Sequence, residues 1–97
     1  GLSAPTDGDA IPLVRVPPQY PQRAASRGIN GWVQLEFTIT ESGSVEDIEV
    51  VVAEPTGYFE RAAERALARW KYKPKIVDGR PARRYGNQVV ITFELEQ

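Results

Sequence analysis

The stretch from Thr56 to Pro74 places the strongest constraint on the fold, because its apolar residues recur at the spacing of one helical face. Thr56 is predicted to cap the start of this helix, and Pro74 prevents it from continuing. Such a helix needs a flat apolar partner, and the flanking segments supply three predicted strands. The predicted buried helical residues are Phe59, Ala62, Ala63, Ala66, Leu67 and Trp70.

Three segments alternate apolar and polar residues in the way that is typical of half-buried strands. The first begins at Gly31, the second runs from Val45 to Val52, and the third runs from Gln88 to Glu96. A tight connection at Gly43 joins the first two as a hairpin. The predicted inward residues are Val33, Leu35, Phe37 and Ile39, then Ile48, Val50 and Val52, then Val89, Ile91, Phe93 and Leu95.

These elements predict an α+β domain. A right-handed crossover through the long helix gives a three-stranded antiparallel sheet in the order second–first–third, with the helix on one face. A short N-terminal helix is predicted from Pro21 to Arg27, with Gly28 as its stop. The C-terminal strand is then a free edge. Residues 1–11 are predicted to be a flexible leader or linker remnant, and residues 12–97 form the domain.

Two features stay open at this point. Residues 75–86, which include the turn-forming pair Asp78-Gly79, form either a loop or a small extra hairpin. Trp32 is expected to face away from the helix, either as a lid over the second face of the sheet or as an exposed contact.

Composition argues against most chemical functions. The 97 residues have a net charge of −1 and contain no cysteine and no histidine, so a disulfide and the commonest general base are excluded. Glu46, Asp47 and Glu49 alternate along a strand, which favours a solvated surface over a metal site. We therefore expect no cofactor, no metal, no enzymatic activity, no nucleic-acid binding and no direct membrane insertion.

Arginines recur every four residues along the long helix, at Arg61, Arg65 and Arg69. We favour a solvated helix face for this ridge. The alternative is a docking surface for an acidic partner.

One ordered series of residues resembles the C-terminal domain of the TonB family, the energy transducers of the Gram-negative cell envelope. The resemblance runs from about Pro12 to Gln97. It is carried by Gln19-Tyr20-Pro21, Arg23-Ala24, Gly31-Trp32-Val33, Phe37, Gly43, Phe59, Ala62, Ala66, Arg69-Trp70-Lys71-Tyr72-Lys73-Pro74 and Phe93.

The resemblance implies a periplasmic domain whose missing N-terminal helix is anchored in the inner membrane beside ExbB and ExbD. It implies binding of the TonB box of outer-membrane receptors for iron siderophores, haem or vitamin B12, by strand addition to the last strand. Partner contacts are expected at Gln19, Tyr20, Pro21 and Arg23, and along the strand at Gln88, Val89, Val90, Ile91 and Thr92. Pro17 stands where the family has a glutamine, so that contact is not carried over.

The alternative within the same resemblance is a TonB- or TolA-like protein-binding domain of another envelope or signalling protein. A membrane anchor followed by a proline-rich linker would distinguish the transducer from that alternative.

Overall fold

The computed structural model describes residues 10–96, so the leader predicted for residues 1–11 lies outside the described residues except for Ala10 and Ile11. Residues 10–96 contain two helices and seven strands in mixed order. Their bounds are β1 Pro12–Val14, α1 Gln22–Ser26, β2 Gly31–Ile39, β3 Val45–Glu54, α2 Glu60–Leu67, β4 Lys71–Tyr72, β5 Lys75–Val77, β6 Arg80–Ala82 and β7 Arg84–Phe93.

The three long strands form an antiparallel sheet in the order β3–β2–β7. The α+β class is therefore confirmed, and the order is the one that the crossover argument predicts. Two small two-stranded ribbons accompany the sheet, one of β1 with β4 and one of β5 with β6.

The core lies between α2 and one face of the sheet. Phe59 is fully buried and its ring stacks on that of Phe93, with 4.4 Å between the ring centroids. Trp70 is also buried, and its indole N–H donates a hydrogen bond to the carbonyl oxygen of Val16 at 2.9 Å. Burying aromatic side chains of this size is a main source of stability in a small domain. The predicted buried face of the helix is thus confirmed at both of its aromatic ends.

The helix α2 is shorter than predicted, and Thr56 does not cap it. It begins at Glu60, with Phe59 in the capping position and no side-chain hydrogen bond from that residue. The Glu60 carboxylate instead accepts a hydrogen bond from the Gly57 N–H, at 2.9 and 3.1 Å to its two oxygens. This bond is the main cause that lowers the pKa of Glu60. The turn before the helix therefore uses an acidic side chain in the first helical turn, not a threonine.

The prediction that Val52 points inward is wrong, because β3 contains a bulge. Gln34 pairs with Val52 and Leu35 pairs with Val50, so Val51 is an extra residue on β3. A bulge reverses the alternation beyond it. Val52 is consequently 38% exposed, and Ala53 is buried in its place.

The last strand also differs from its predicted bounds. β7 begins at Arg84 and ends at Phe93, so it starts before Gln88 and does not reach Glu96. Beyond Phe93 the backbone N–H of Leu95 is bonded to the side-chain oxygen of Asn30 at 3.0 Å. At this end of the sheet a hydrogen bond to a side chain therefore takes the place of backbone pairing between the strands.

The open question about residues 75–86 is answered in favour of a hairpin. β5 and β6 pair through Val77 and Arg80, around a turn at Asp78 and Gly79. Both turn residues have positive φ, of 51° and 77°, which is the conformation that two-residue hairpin loops prefer.

Candidate partner-binding site

The outer edge of β7 is regular over most of its length. Its pairing with β2 runs without a shift from Gly31↔Phe93 to Phe37↔Asn87. The only irregularity lies further on, between Phe37 and Ile39. No other strand within residues 10–96 pairs with β7, and residues 87–93 carry no charge. The edge is thus a straight row of backbone donors and acceptors that faces solvent.

The direction of these backbone groups follows from two hydrogen bonds at the ends of the sheet. Within a strand, successive residues turn their N–H and C=O groups to opposite sides. The N–H of Thr40 is bonded to Ser44, on the β3 side, so the even-numbered residues of β2 face β3. The odd-numbered residues of β2 therefore face β7. Odd-numbered residues of β2 pair with odd-numbered residues of β7, so the latter face β2, and the bond from the Leu95 N–H to the Asn30 side chain beyond the strand end agrees with this.

The predicted strand site consequently divides into two sets. The backbone groups of Gln88, Val90 and Thr92 point outward, and those of Val89 and Ile91 are used in the ladder with β2. The side chains of Val89 and Ile91 are buried in the core. Only the even-numbered residues can therefore bond directly to an added strand.

The face of the sheet opposite α2 carries a polar side-chain ladder across β2 and β7. The Gln34 side-chain amide donates to Gln88 at 2.7 Å, and that of Gln88 donates to Glu36 at 3.1 Å. These bonds fix Gln88 over the sheet and leave its backbone free for another partner. Trp32 lies on this face next to Thr92 and is partly buried, so it is neither a full lid nor a fully exposed contact.

Tyr20 anchors the second predicted group, Gln19 to Arg23, to the core. Its ring makes edge contacts with Phe59 at 5.6 Å and with Phe93 at 5.8 Å between centroids. Its hydroxyl donates to the carbonyl oxygen of Ile29, and burial raises its pKa. Tyr20 therefore has a packing role in addition to any contact with a partner. Because Phe93 ends β7, this contact also brings the two predicted groups together.

Arg23 holds α1 against the turn that precedes α2. Its guanidinium donates to the carbonyl oxygen of Gly57 and lies 4.6 Å from the centre of the Tyr58 ring. Arg27 adds a hydrogen bond to the Tyr58 hydroxyl at 2.7 Å. Gln19 is exposed and Pro21 is the residue that precedes α1. Of this group, Gln19 is the residue with the most freedom to contact a partner.

A groove that the sequence pattern did not indicate lies beside this segment. It has a volume of about 730 Å³ and separates the segment Val16–Gln22 from the exposed side of α2. The arginine ridge was visible in the sequence. Its position across from Tyr20 was not, because the hydrogen bond between Trp70 and Val16 that fixes this arrangement joins residues far apart in the chain.

Within residues 10–96, no group of three or more histidine, cysteine or acidic residues is placed to hold a metal ion. Neither described helix is long and apolar enough to cross a membrane.

Comparison with known proteins gives one consistent result. Residues 16–95 match the family model described as the Gram-negative bacterial TonB protein C-terminal region. The chain is 36% identical over 91 residues to protein TonB of Pseudomonas aeruginosa, which covers 94% of the chain and 26% of that protein. It is 40% identical over 62 residues to protein TonB of Escherichia coli, which covers 64% of the chain and 26% of that protein. The chain thus spans about a quarter of the length of these relatives.

Two solved structures share the fold. The solution NMR structure of the Pseudomonas aeruginosa TonB C-terminal domain has a TM-score of 0.71 at 35% identity, covering 94% of this chain and 91% of the other. A structure of the TonB2 protein from Vibrio anguillarum has a TM-score of 0.68 at 47% identity, covering all of this chain and 97% of the other.

Proposed function

Because this chain belongs to the family of Gram-negative TonB C-terminal domains, we propose that it is the periplasmic part of a TonB-type energy transducer. In this proposal it is a binding domain with no catalytic role, and it binds the TonB box of outer-membrane receptors by strand addition. The binding couples the proton motive force of the inner membrane to the uptake of iron siderophores, haem or vitamin B12. Anchoring in the inner membrane and contacts with ExbB and ExbD belong to parts of the protein other than this chain.

The observation that carries this proposal is the regular, uncharged edge of β7 from Asn87 to Phe93. Proteins usually protect such an edge with bulges, charges or covering elements, because it can pair with another chain. An edge without these protections is suited to a peptide that adds as an extra strand, where backbone hydrogen bonds supply affinity.

The direction of the backbone groups specifies how the added strand is held. Gln88, Val90 and Thr92 each offer one outward N–H and one outward C=O. A partner strand that pairs with all three forms a ladder along the whole regular edge. Each hydrogen bond contributes only about 1 kcal/mol net, so the affinity depends on several being formed together.

The segment Gln19 to Arg23 is proposed to contribute side-chain contacts at one end of this strand. Tyr20 packs against Phe93 and so fixes the segment at the end where β7 stops. Gln19, the residue before Tyr20, is exposed and can donate or accept a hydrogen bond. Selectivity among receptors would then come from this end, because backbone pairing along β7 discriminates little between sequences.

Titration with a synthetic TonB-box peptide, followed by NMR of each amide, tests the proposal. We expect the amide protons of Gln88, Val90 and Thr92 to become protected from exchange, whereas those of Val89 and Ile91 are protected already. A peptide of the same sequence with alternate backbone nitrogens methylated is the control, because it keeps the side chains and loses the ladder. Equal binding of the two peptides, or shifts confined to other strands, would contradict strand addition at β7.

A further inference from the structure

A second surface, the arginine groove, lies between α2 and the segment Val16–Gln22. Its charged lining residues, which we call the rim, are Arg61, Arg65 and Arg69, all of which are exposed. Its less exposed, mainly apolar lining residues, which we call the floor, include Val16, Tyr20, Ala62 and Ala66.

The arginines of the groove form no ion pair within residues 10–96. All ion pairs found among residues 10–96 are made by Arg83, which is not one of the groove residues. The lining residues include no aspartate and no glutamate. Three arginines on one rim of an apolar groove therefore produce a positive potential that favours an anionic ligand.

The spacing of the arginines matches an extended peptide. Residues four apart in a helix are separated by about 6 Å along its axis. Alternate residues of an extended chain are separated by about 6.6 Å. Arg61 and Arg65 both lie in α2, whereas Arg69 lies in the turn just after it. A strand-like segment with an acidic residue at every second position can therefore place successive carboxylates against Arg61 and Arg65, with Arg69 as the next basic residue beyond the end of the helix.

The apolar floor of the groove indicates which residues the bound peptide should have between its acidic ones. In an extended chain the intervening side chains point the opposite way from the acidic ones. The alanines Ala62 and Ala66 have short side chains, which leave room in the groove for aliphatic groups of the ligand. A peptide in which acidic and aliphatic residues alternate satisfies both the rim and the floor.

We propose that the arginine groove binds an extended peptide segment of a protein partner in which acidic and aliphatic residues alternate. Arg61, Arg65 and Arg69 contact the acidic side chains, and Val16, Tyr20, Ala62 and Ala66 contact the aliphatic ones. This surface goes beyond strand addition at β7 and does not depend on it.

The test uses a synthetic peptide of alternating aspartate or glutamate and valine, and a second peptide in which the same residues are grouped into one acidic and one apolar block. Both are titrated into the Val90→Pro variant, in which the outward edge of β7 is blocked. We expect the alternating peptide to bind at least about tenfold more tightly than the block peptide, with NMR shifts at α2 and Val16–Gln22.

Substitutions then separate the groove from general charge effects. Arg65→Gln should weaken binding of the alternating peptide by about two- to fivefold, as for an exposed charge pair. Reversing all three arginines to glutamate should weaken it by at least about tenfold. Arg80→Gln makes the same charge change as Arg65→Gln at a residue of the β5–β6 hairpin that does not line the groove, and it should leave affinity within about twofold. Melting curves show that each variant is folded.

Three results would overturn the proposal. Equal binding of the two peptides would show that only net charge matters. Loss of binding in Val90→Pro, with no effect of the arginine variants, would assign the peptide to the β7 edge. Binding of phosphatidylglycerol vesicles or of pyrophosphate, but not of the alternating peptide, would make the groove a phosphate site. None of these outcomes tests strand addition of the TonB box, which is measured separately in the unblocked chain.

Discussion

The two outer strands of the sheet, β3 and β7, flank the same central strand but present different edges to solvent. β3 departs from regular pairing twice, once at Val51 and once near Asp47, which has a positive φ of 54°. β7 pairs without a shift from Asn87 to Phe93 and has no charge there. The acidic residues of β3 are Glu46, Asp47, Glu49 and Glu54.

Bulges and charged side chains are the features that proteins commonly use to prevent an outer strand from pairing with another chain. β3 has both and β7 has neither over its regular part. An outer position in the sheet therefore does not by itself make an edge that is open to pairing. The local register decides whether the exposed backbone groups form a continuous row.

The largest expected effect separates the inward and outward positions of β7. Ile91→Pro removes an N–H that faces β2 and replaces a buried side chain, so it should lower the free energy of unfolding by about 5 kcal/mol or more. Ile91→Ala is the control, because it removes most of the side chain and keeps the N–H. Chemical denaturation measures both. Equal losses in the two variants would mean that the Ile91 N–H is not part of the ladder.

The second prediction concerns the core that both edges share. Trp70→Ala should cost about 3–5 kcal/mol, the usual range for a buried tryptophan, and should reduce amide protection in β3 and β7 together. Trp32→Ala is the matched control, since Trp32 is only partly buried and lies on the other face of the sheet. If amide protection fell in β7 but not in β3, the two outer strands would not be stabilised by the same core, which would contradict this prediction.

Raising the pH tests the same core without a change at either edge. Burial raises the pKa of Tyr72 from its ordinary value of 10.0 to about 12, and the nearby Arg15 opposes part of this shift. The contribution of the neutral phenol is therefore complete below pH 10 and is lost as the pH rises to about 12. Tyr72→Phe cannot ionise, so its unfolding free energy should fall less in this range, by on the order of 2 kcal/mol. Tyr85→Phe is the control, because Tyr85 is 68% exposed.

Proline at an outward position compares the two edges directly. Val90→Pro should remain folded and bind a TonB-box peptide at least about tenfold more weakly, because an outward N–H is lost and the ring blocks the approaching strand. Val50→Pro is the matched change on β3. Val50 lies opposite Leu35, whose backbone groups face β7, so the Val50 N–H points away from β2. Peptide binding by this variant should equal that of the parent chain in calorimetric titration. If both proline variants bound the peptide equally weakly, the binding site would not be the edge of β7.

The smallest expected effect is at the protected edge. Arg83 forms ion pairs with Glu41 at 3.4 Å and Asp47 at 3.8 Å, and its hydrogen bond with Glu46 raises the pKa of its guanidinium. These groups are partly exposed, so Arg83→Ala should cost less than about 1 kcal/mol and should leave peptide binding unchanged. The difference between Arg83→Ala and Arg80→Ala should shrink in high salt. If the Arg83→Ala variant bound the peptide along β3, Arg83 would be one of the groups that prevent β3 from pairing with another strand, contrary to this prediction.

The sequence was sufficient to predict the elements whose residues repeat with a clear period. The alternation from Val33 to Ile39 and the helical spacing from Phe59 to Leu67 each identify a buried face, and the structure buries those faces. The interruptions were not predictable. The extra residue Val51 lies between two other valines, so its side chain gives no sign of a bulge. For this reason the predicted direction of Val52 was wrong.

The candidate site was predicted in part for a related reason. Side-chain alternation shows which face of the sheet a residue occupies, but not which edge its backbone faces. The outward set of Gln88, Val90 and Thr92 became clear only from the bonds at Thr40 and Leu95. The arginine groove depends on the placement of Val16 beside Trp70, a long-range contact that no local pattern encodes.

The contact between Tyr20 and Phe93 joins the N-terminal segment to the end of β7, so it lies between the two points that would be pulled apart if a strand added to β7 were drawn away from the N-terminal side of the chain. The first element that such a pull meets is the short ribbon of β1 with β4, which has only two residue pairs, Pro12 with Tyr72 and Val14 with Lys71. Release of this ribbon and of the hydrogen bond between Val16 and Trp70 frees the residues before Tyr20 as a tether of roughly 25 Å, at about 3.4 Å per residue. The load then reaches the ring of Tyr20, which contacts the last residue of β7. We therefore expect the domain to yield in two stages, a compliant one that leaves the binding edge intact and a stiff one in which the sheet itself resists.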